Sequence, residues 1–170
     1  MRLVRNILAG TILLALCGCA GYHLGPSNGL RANEKTVRIT PVTNRTLEPR
    51  LGDAVTSALR KEIQRDGTFR LVTSGTADIV VTCELIRYDR NEVSFVPGDI
   101  VTARDYRIAL GARVSAKETS SDKTVLTREF TGNTLMRLGN DLPSVERQTL
   151  PVLAADLARQ ITAALADGTW

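Results

Sequence analysis

The residues best suited to chemistry lie near the start of the chain, where Cys17, Cys19 and the only histidine, His23, stand close together. They could bind a metal, form a redox pair or mark a processing site. A zinc site usually needs four ligands at characteristic spacing, and Cys-x-Cys with one histidine supplies too few. The third cysteine, Cys83, lies in an apolar run, where a buried free thiol behaves as a small hydrophobic side chain. A metal or redox centre is therefore disfavoured.

The first 18 residues have the pattern of a secretory signal peptide. Arg2 and Arg5 precede an apolar run over residues 7–16, and small residues follow it. This run is too short to cross a bilayer as a helix, which takes about 20 residues. The sequence therefore predicts that residues 1–18 are removed. An ordinary N-terminal core helix is the alternative.

The end of this leader resembles the bacterial lipobox, in which an aliphatic residue and then a small residue precede a lipid-bearing cysteine. Gly18 fits beside a cut before Cys19, whereas Leu16 is too large to stand beside a cut before Cys17. Cys19 is therefore the predicted lipidation site, and two or three acyl chains, such as palmitate, give stable anchoring. Ala20 replaces the aspartate that resembles an inner-membrane retention signal. We therefore expect the periplasmic face of the outer membrane.

Composition limits the class of function. The chain is 43% hydrophobic and 24% charged, which permits an ordinary core, and its 4% aromatic content disfavours a base-stacking nucleic-acid binder. The net charge of +4 falls to +2 without Arg2 and Arg5. Such a mild excess of positive charge permits binding to anionic partners but does not require it.

Catalytic patterns are missing from the sequence. The only histidine falls in the predicted tether, residues 19–33, so a Ser-His-Asp or Cys-His arrangement has no base in the folded domain. The sequence has no glycine-rich phosphate loop. Four carboxylates are explained better as solvated charge than as a glycosidase pair, namely those of Asp53, Glu62, Asp78 and Glu84. We predict a protein that is not an enzyme and has no cofactor or metal.

Hydrophobic periodicity predicts the elements of a domain over residues 34–170. Alternation predicts strands, and a period near four predicts two helices. The second helix contains Pro151, which should kink it or mark the start of its second part. The order of elements predicts an α+β two-layer sandwich, with a mostly antiparallel four- to five-stranded sheet and two helices packed on one face. The predicted strands cover 35–42, 69–73, 78–89, 104–117 and 124–131, the first helix covers 49–65, and loops cover 91–101, 119–123 and 133–141.

Basic side chains cluster on the predicted sheet. Arg107, Arg113 and Lys117 share one face of a strand, and Arg87 and Arg90 end the strand before it. Arginine forks match the geometry of phosphate, so these five residues are candidates for contact with a phosphorylated lipid. The alternative is that a solvent-facing side of the sheet carries charge only to remain soluble.

Three segments together resemble the lipopolysaccharide-assembly lipoprotein family, LptE. They are CAGYHLG after the predicted lipidation cysteine, VRITPVTNRTLEPRLGDAVTSALRKEIQRDGTFRLV, and TADIVVTCELIRYDR. The matching features are an aromatic residue after Cys-x-Gly, a strand ending in proline with Asn-x-Thr soon after, an amphipathic helix, and Ala-Asp opening a hydrophobic strand. The resemblance covers nearly all of the predicted mature chain.

The resemblance implies a function in the outer membrane. LptE-like proteins are small α+β lipoproteins that plug the lumen of the β-barrel LptD, help it to assemble and take part in lipopolysaccharide transport to the outer leaflet. They are not enzymes and need no cofactor. Alternatives are an accessory lipoprotein of an ABC-type lipid transport system, a lipoprotein that activates a cell-wall enzyme or assembles a secretion pore, and a periplasmic enzyme. The five basic candidates come from their chemistry and not from the resemblance.

Overall fold

A computed structural model describes residues 32–137 and 142–168 of the chain. The predicted signal peptide, Cys19 and almost all of the predicted tether lie outside the described residues. The elements are β1 (Thr36–Ile39), β2 (Thr43–Asn44), α1 (Leu51–Asp66), β3 (Arg70–Leu71), β4 (Ile79–Val96), β5 (Asp99–Glu118), β6 (Thr124–Arg137) and α2 (Leu142–Ala166).

The strands form one mixed sheet in the order β3-β1-β4-β5-β6, and β2 also pairs with β4. β1 pairs in parallel with both β3 and β4, whereas β4, β5 and β6 form an antiparallel meander. The α+β fold class is confirmed. Within the described residues the sheet has six strands, because β2 makes a short parallel pairing of its own with β4.

The helices form because their apolar residues repeat at the helical period. In α1, Leu51, Val55, Leu59 and Ile63 recur every four residues, and all four are buried. The helix ends at Gly67, whose φ of 75° suits a left-handed C-cap and whose N–H donates to the Ile63 carbonyl. In α2 the helix continues through the predicted kink position, Pro151.

One hydrophobic core lies between the helices and the sheet. Alternate residues of β4 and β5 enter it, and the opposite face of these strands carries exposed polar residues. Both helices therefore pack on one face of the sheet, as predicted. Cys83 lies in this core with 3% of its surface exposed, and burial raises the pKa of its thiol to about 12. Buried core residues include Ile79, Val81, Leu85, Ile108, Leu110, Ala112, Val114, Leu153, Leu157 and Ile161.

Two predicted loops are in fact strands. The loop predicted over 91–101 forms the end of β4 and the start of β5, because Pro97 and Gly98 make only the tight turn between them. Gly98 has a φ of 85°, the conformation that such a turn requires. Residues 133–137 of the second predicted loop extend β6, since they pair with β5 as far as Asp105. Residues 138–141 lie outside the described part of the chain.

A β-bulge half-way along β4 changes which of its residues face the helices. Leu85 pairs with Ala112 and Arg87 pairs with Gly111, so Ile86 is an extra residue. Before the bulge the odd-numbered residues of β4 face the helices. After it, the even-numbered residues, such as Tyr88, face the helices instead, because side chains alternate along a strand.

Candidate functional site

The uncovered face of the sheet, which we call the outer face, brings together four of the five basic candidates. Arg107, Arg113 and Lys117 alternate outward along β5, and all three are exposed. Arg87 joins them because the bulge in β4 turns it to the outer face opposite Gly111. The three residues predicted to share a face, Arg107, Arg113 and Lys117, do so, and Arg87 lies on the same face.

Three of these cations already have carboxylate partners. Arg113 Nη2 lies 2.9 Å from Glu129 Oε1, Arg87 Nε lies 2.8 Å from an Asp89 oxygen, and Lys117 Nζ lies 2.8 Å from an Asp122 oxygen. Glu84 also lies 3.7 Å from Arg113. A phosphate binding here would have to compete with these pairs. Much of the positive charge on the outer face is thus neutralised within the sheet.

Arg107 differs from the other three. Within the described residues it has no ion-pair partner, and it lines a groove of about 430 Å³ on the outer face. In this groove Asp105 accepts a hydrogen bond from Ser94 and lies 2.8 Å from Arg137 Nε. The hydrogen bonds from Ser94 and then Arg137 hold the pKa of Asp105 below its usual range. The exposed side chains of Val93 and Leu135 form the apolar part of the groove's lining.

Arg90 lies on the opposite face of the sheet, apart from the other four candidates. The bulge turns it to the helix side, where its Nη2 lies 2.8 Å from Glu146 Oε1 on α2. Its guanidinium also lies 5.3 Å from the centre of the Tyr88 ring. Glu146 contacts Arg50 as well, at 3.5 Å, and Arg50 bonds Glu48 at 2.7 Å. These residues form an ion-pair network that joins α2 to β4 and to the residues before α1.

The groove can hold an amphiphilic anion. Guanidinium groups bind phosphate oxygens with charge-assisted hydrogen bonds, and neighbouring apolar side chains can contact hydrocarbon. Within 32–137 and 142–168, no three His, Cys, Asp or Glu side chains stand close enough to hold a metal ion. None of the described helices is both long enough and apolar enough to cross a membrane.

Sequence reasoning missed the contribution of β6 to this groove. Leu135 and Arg137 fall in a segment that the sequence predicts as a loop, and so do Val93 and Ser94. The detectable signal was the alternation of Leu135 and Arg137 with the buried Met136, which continues the pattern of the strand before it.

Comparison with known families agrees with the fold and with the resemblance. The family model for LptE, described as lipopolysaccharide-assembly, matches residues 34–165. The chain belongs to the LptE family. No curated protein matches the sequence.

Solved structures with the same fold are remote in sequence from this LptE-family chain. A PelC dodecamer from Paraburkholderia phytofirmans aligns with a TM-score of 0.57 and 17% identity, over 84% of this chain and 92% of that one. A hypothetical protein from Chlamydia trachomatis aligns with a TM-score of 0.57 and 13% identity, over 78% of this chain and 95% of that one. A minor lipoprotein from Acinetobacter baumannii aligns with a TM-score of 0.51 and 14% identity, over 78% of this chain and 92% of that one. At these identities the similarity concerns the fold alone.

Proposed function

We propose that this LptE-family protein is an outer-membrane lipoprotein that plugs the lumen of an LptD-like β-barrel, helps that barrel to assemble and takes part in lipopolysaccharide transport to the outer leaflet. The observation that carries the proposal is the family match over residues 34–165. A lipopolysaccharide-assembly protein of this size needs no active site of its own, which is consistent with the missing catalytic patterns. We propose no enzymatic activity and no cofactor.

The surface of the domain suits a polar barrel interior. The lumen of an outer-membrane barrel is polar, so a plug must present polar groups around most of its circumference. The outer face does so with internally paired charges, Arg113 with Glu129 and Arg87 with Asp89. Because these pairs are satisfied within the sheet, the face can enter a polar lumen without bringing a large uncompensated charge.

Contact with lipopolysaccharide is proposed at the outer-face groove. Arg107 carries the proposal because it is the candidate without a carboxylate partner among the described residues. Arg87, Arg113 and Lys117 are weaker candidates, since phosphate would first have to displace their partners. Arg90 is not included, because it lies on the helix side and is bound to Glu146.

The anchor is proposed at Cys19, which lies outside the described residues. We expect Cys19→Ser to abolish lipid attachment and to release the protein from the membrane fraction, whereas Cys17→Ser should leave attachment unchanged. Lipid attachment is measured by intact mass and by fractionation. If Cys17→Ser abolishes attachment and Cys19→Ser does not, the proposed cleavage position is wrong.

Co-purification tests the partner. In mild detergent, the tagged full chain should retain a large β-barrel protein in a stoichiometric complex that is visible by size-exclusion chromatography and mass spectrometry. Recovery of an inner-membrane ATPase complex without such a barrel would overturn the plug proposal and favour the alternative, an accessory lipoprotein of an ABC-type lipid transport system.

Arg107→Gln tests the lipopolysaccharide contact. The substitution should weaken binding of lipopolysaccharide by about five- to tenfold, because one charge-assisted contact to phosphate is lost. Arg65→Gln on α1 is the matched control: it removes an exposed arginine remote from the groove and should change binding by less than about twofold. Binding is measured with immobilised full chain. Equal losses for both variants would indicate only a general effect of net charge.

A further inference from the structure

A groove of about 410 Å³ lies between α1 and α2, and we call it the interhelical groove. Its lining residues are exposed or half-buried, so it is open to solvent. Small or apolar side chains line it on both helices: Ala54 and Ala58 on α1, and Pro151 and Ala155 on α2. Val152, the residue after Pro151, is 56% exposed. The helix layer thus has an apolar strip that no described residue covers.

The charged side chains around the interhelical groove are mostly paired within their own helices. Arg65 Nη2 lies 3.1 Å from Glu62 Oε1, and Arg159 Nη2 lies 2.7 Å from an Asp156 oxygen. The remaining charged residue of the lining is Lys61, which is exposed and pairs with no carboxylate among the described residues. One exposed lysine is a weak signal for an acidic partner. An uncharged occupant would leave both pairs intact, and an aromatic ring could lie over a cation at the rim.

The described chain begins near the Arg65 end of this groove. The Asn33 N–H donates to the Thr68 carbonyl at 3.0 Å, and Thr68 follows Arg65 by three residues. Because three residues span at most about 11 Å, Asn33 lies within about 16 Å of Arg65. Residues 32 and 33 form a turn in which Asn33 has a φ of 62°, so the chain departs there from the line of β1. The residues before this turn are therefore joined to the domain beside the end of α1.

The length of the preceding segment matches the distance to be covered. From Arg65 to Ala54 the groove follows α1 for about 17 Å, at about 1.5 Å per residue. Together with the approach from Asn33 this makes about 33 Å, which takes about 10 residues of extended chain at about 3.3 Å each. Counted back from Asn33, such a length reaches His23. The stretch Tyr22-His23-Leu24 can therefore lie at the Ala54 end of the groove.

The residue types of this segment suit the groove. Residues 21–30, Gly-Tyr-His-Leu-Gly-Pro-Ser-Asn-Gly-Leu, contain no Asp, Glu, Lys or Arg. Tyr22 and Leu24 are two residues apart, so both side chains point to one side of an extended chain. Pro26 favours an extended conformation for the residue before it.

The size of the groove also favours a segment of the same chain over a separate protein. Stable interfaces between proteins bury about 800 Å² on each partner, which is more than a groove about 17 Å long provides. A covalently joined segment needs much less contact area, because its effective concentration is high.

We propose that residues 21–30 of the same chain bind in the interhelical groove, with the side chains of Tyr22 and Leu24 against Ala54 and its neighbours. Binding would hold the predicted lipidation site, Cys19, beside the helices, on the opposite side of the sheet from the outer-face groove. This consequence rests on the proposed anchor, whereas the binding of residues 21–30 does not.

Disulfide formation in the full chain, purified in mild detergent, tests the proposal. His23→Cys keeps Tyr22 and Leu24 and is combined with Ser57→Cys, which lies in the groove. Under mild oxidation, the disulfide between these two positions should form about ten times faster than the one between His23→Cys and Ser121→Cys. Mass spectrometry of the digested chain identifies each disulfide, so other cysteines do not interfere.

Ser121 is the matched control because it is also an exposed serine near the start of the described chain. Its Oγ lies 2.7 Å from Glu118 Oε2, and Glu118 Oε1 lies 2.8 Å from Lys35 Nζ. A segment that is not bound in the groove would reach both serines. Each control or test substitution only replaces an exposed hydroxyl with a thiol, so the core is unchanged.

Variants of the segment itself test its apolar side chains. Tyr22→Ser with Leu24→Ser should slow the disulfide at Ser57→Cys about tenfold, because both apolar contacts are lost. Ser27→Ala with Asn28→Ala changes two polar residues of the same segment and should alter the rate by less than about twofold. All four positions lie outside the described domain, so these variants leave its core untouched.

Two outcomes would overturn the proposal: equal rates at the two serines, or a rate at Ser57→Cys that Tyr22→Ser with Leu24→Ser does not change. A mixture of isotopically labelled and unlabelled chains shows whether the disulfide joins one chain or two. If it joins two chains, a second copy supplies the occupant and binding within one chain is wrong. None of these results depends on lipid at Cys19 or on recovery of an LptD-like barrel.

Discussion

Glu146 connects parts of the chain that are far apart in sequence. Its side chain is 13% exposed and contacts Arg90 of β4 at 2.8 Å and Arg50 before α1 at 3.5 Å. Arg50 in turn bonds Glu48, and the hydrogen bond from Arg50 holds the pKa of Glu48 below its usual value. A partly buried network is worth more than an exposed pair, because removing Glu146 takes away the carboxylate that pairs with Arg90 and one of the two carboxylates that contact Arg50.

We expect Glu146→Gln to lower the melting temperature by about 4 °C, because two arginines lose a partner. The matched control is Glu62→Gln on α1. It removes an ion pair with the largely exposed Arg65 and should lower the melting temperature by about 1 °C or less. Thermal melts at low salt measure both variants. Equal shifts in melting temperature would mean that the network around Glu146 contributes no more stability than a surface ion pair.

At the scale of the elements, the packing of α2 on β6 depends on Gly132. A Cβ at this position would lie 2.9 Å from Leu157 Cβ and 3.1 Å from the Leu153 carbonyl oxygen. The backbone of α2 cannot easily move away, because Leu153 and Leu157 are fully buried in the core. Helix and strand therefore stay in close contact only while this residue has no side chain.

Gly132→Ala should lower the free energy of unfolding by about 1–3 kcal/mol, because the added methyl overpacks the interface between α2 and β6. Gly111→Ala on β5 is the control, since its Cβ would meet the Arg87 side chain at an ordinary 3.4 Å. Urea denaturation measures both variants. A Gly132→Ala protein as stable as the control would show that α2 can shift without cost.

The elements could be predicted from the sequence where one period runs without interruption. The period of four in α1 and the alternation from Ile108 to Val114 gave the helix, the strand and the core face correctly. The extra residue Ile86 leaves no mark on the sequence, because a bulge is a property of pairing between two strands. The placement of Arg90 could therefore not be inferred, and neither could the groove beside Arg107, which β6 completes.

The whole molecule has a sheet longer than its helices. At about 3.3 Å per residue, the 18 residues of β4 extend for about 60 Å, whereas the 25 residues of α2 cover about 37 Å. The end of the β4–β5 hairpin therefore lies beyond the helix layer. Those side chains of residues 93–105 that the structure describes are exposed or half-buried, and none belongs to the core.

Replacing residues 93–105 with Asn-Gly, which joins Glu92 to Tyr106, should leave a folded domain. We expect a melting temperature within about 4 °C of the full chain, because no described core residue is removed. Lipopolysaccharide binding should fall at least as far as in Arg107→Gln, since one wall of the outer-face groove is lost. If the shortened chain no longer unfolds in a cooperative thermal transition, the hairpin is part of the core.

The two borders of the sheet are unequal, and this limits how the protein can assemble. One border is β6, with 14 residues, and the other ends in β3, with two. A filament grows by strand pairing only when each added molecule exposes a new sheet edge that can bind the next molecule as well as the previous edge did. The far border is also stepped, because β1 and β2 pair with β4 only as far as Leu85, and among the described residues no strand lies beside Arg87–Val96 on that side. A molecule joined through β6 would therefore offer the next one an interrupted border, unlike the border it has just used. We expect association through this sheet to stop after one step, so that the chain acts as a terminator and not as a repeating unit.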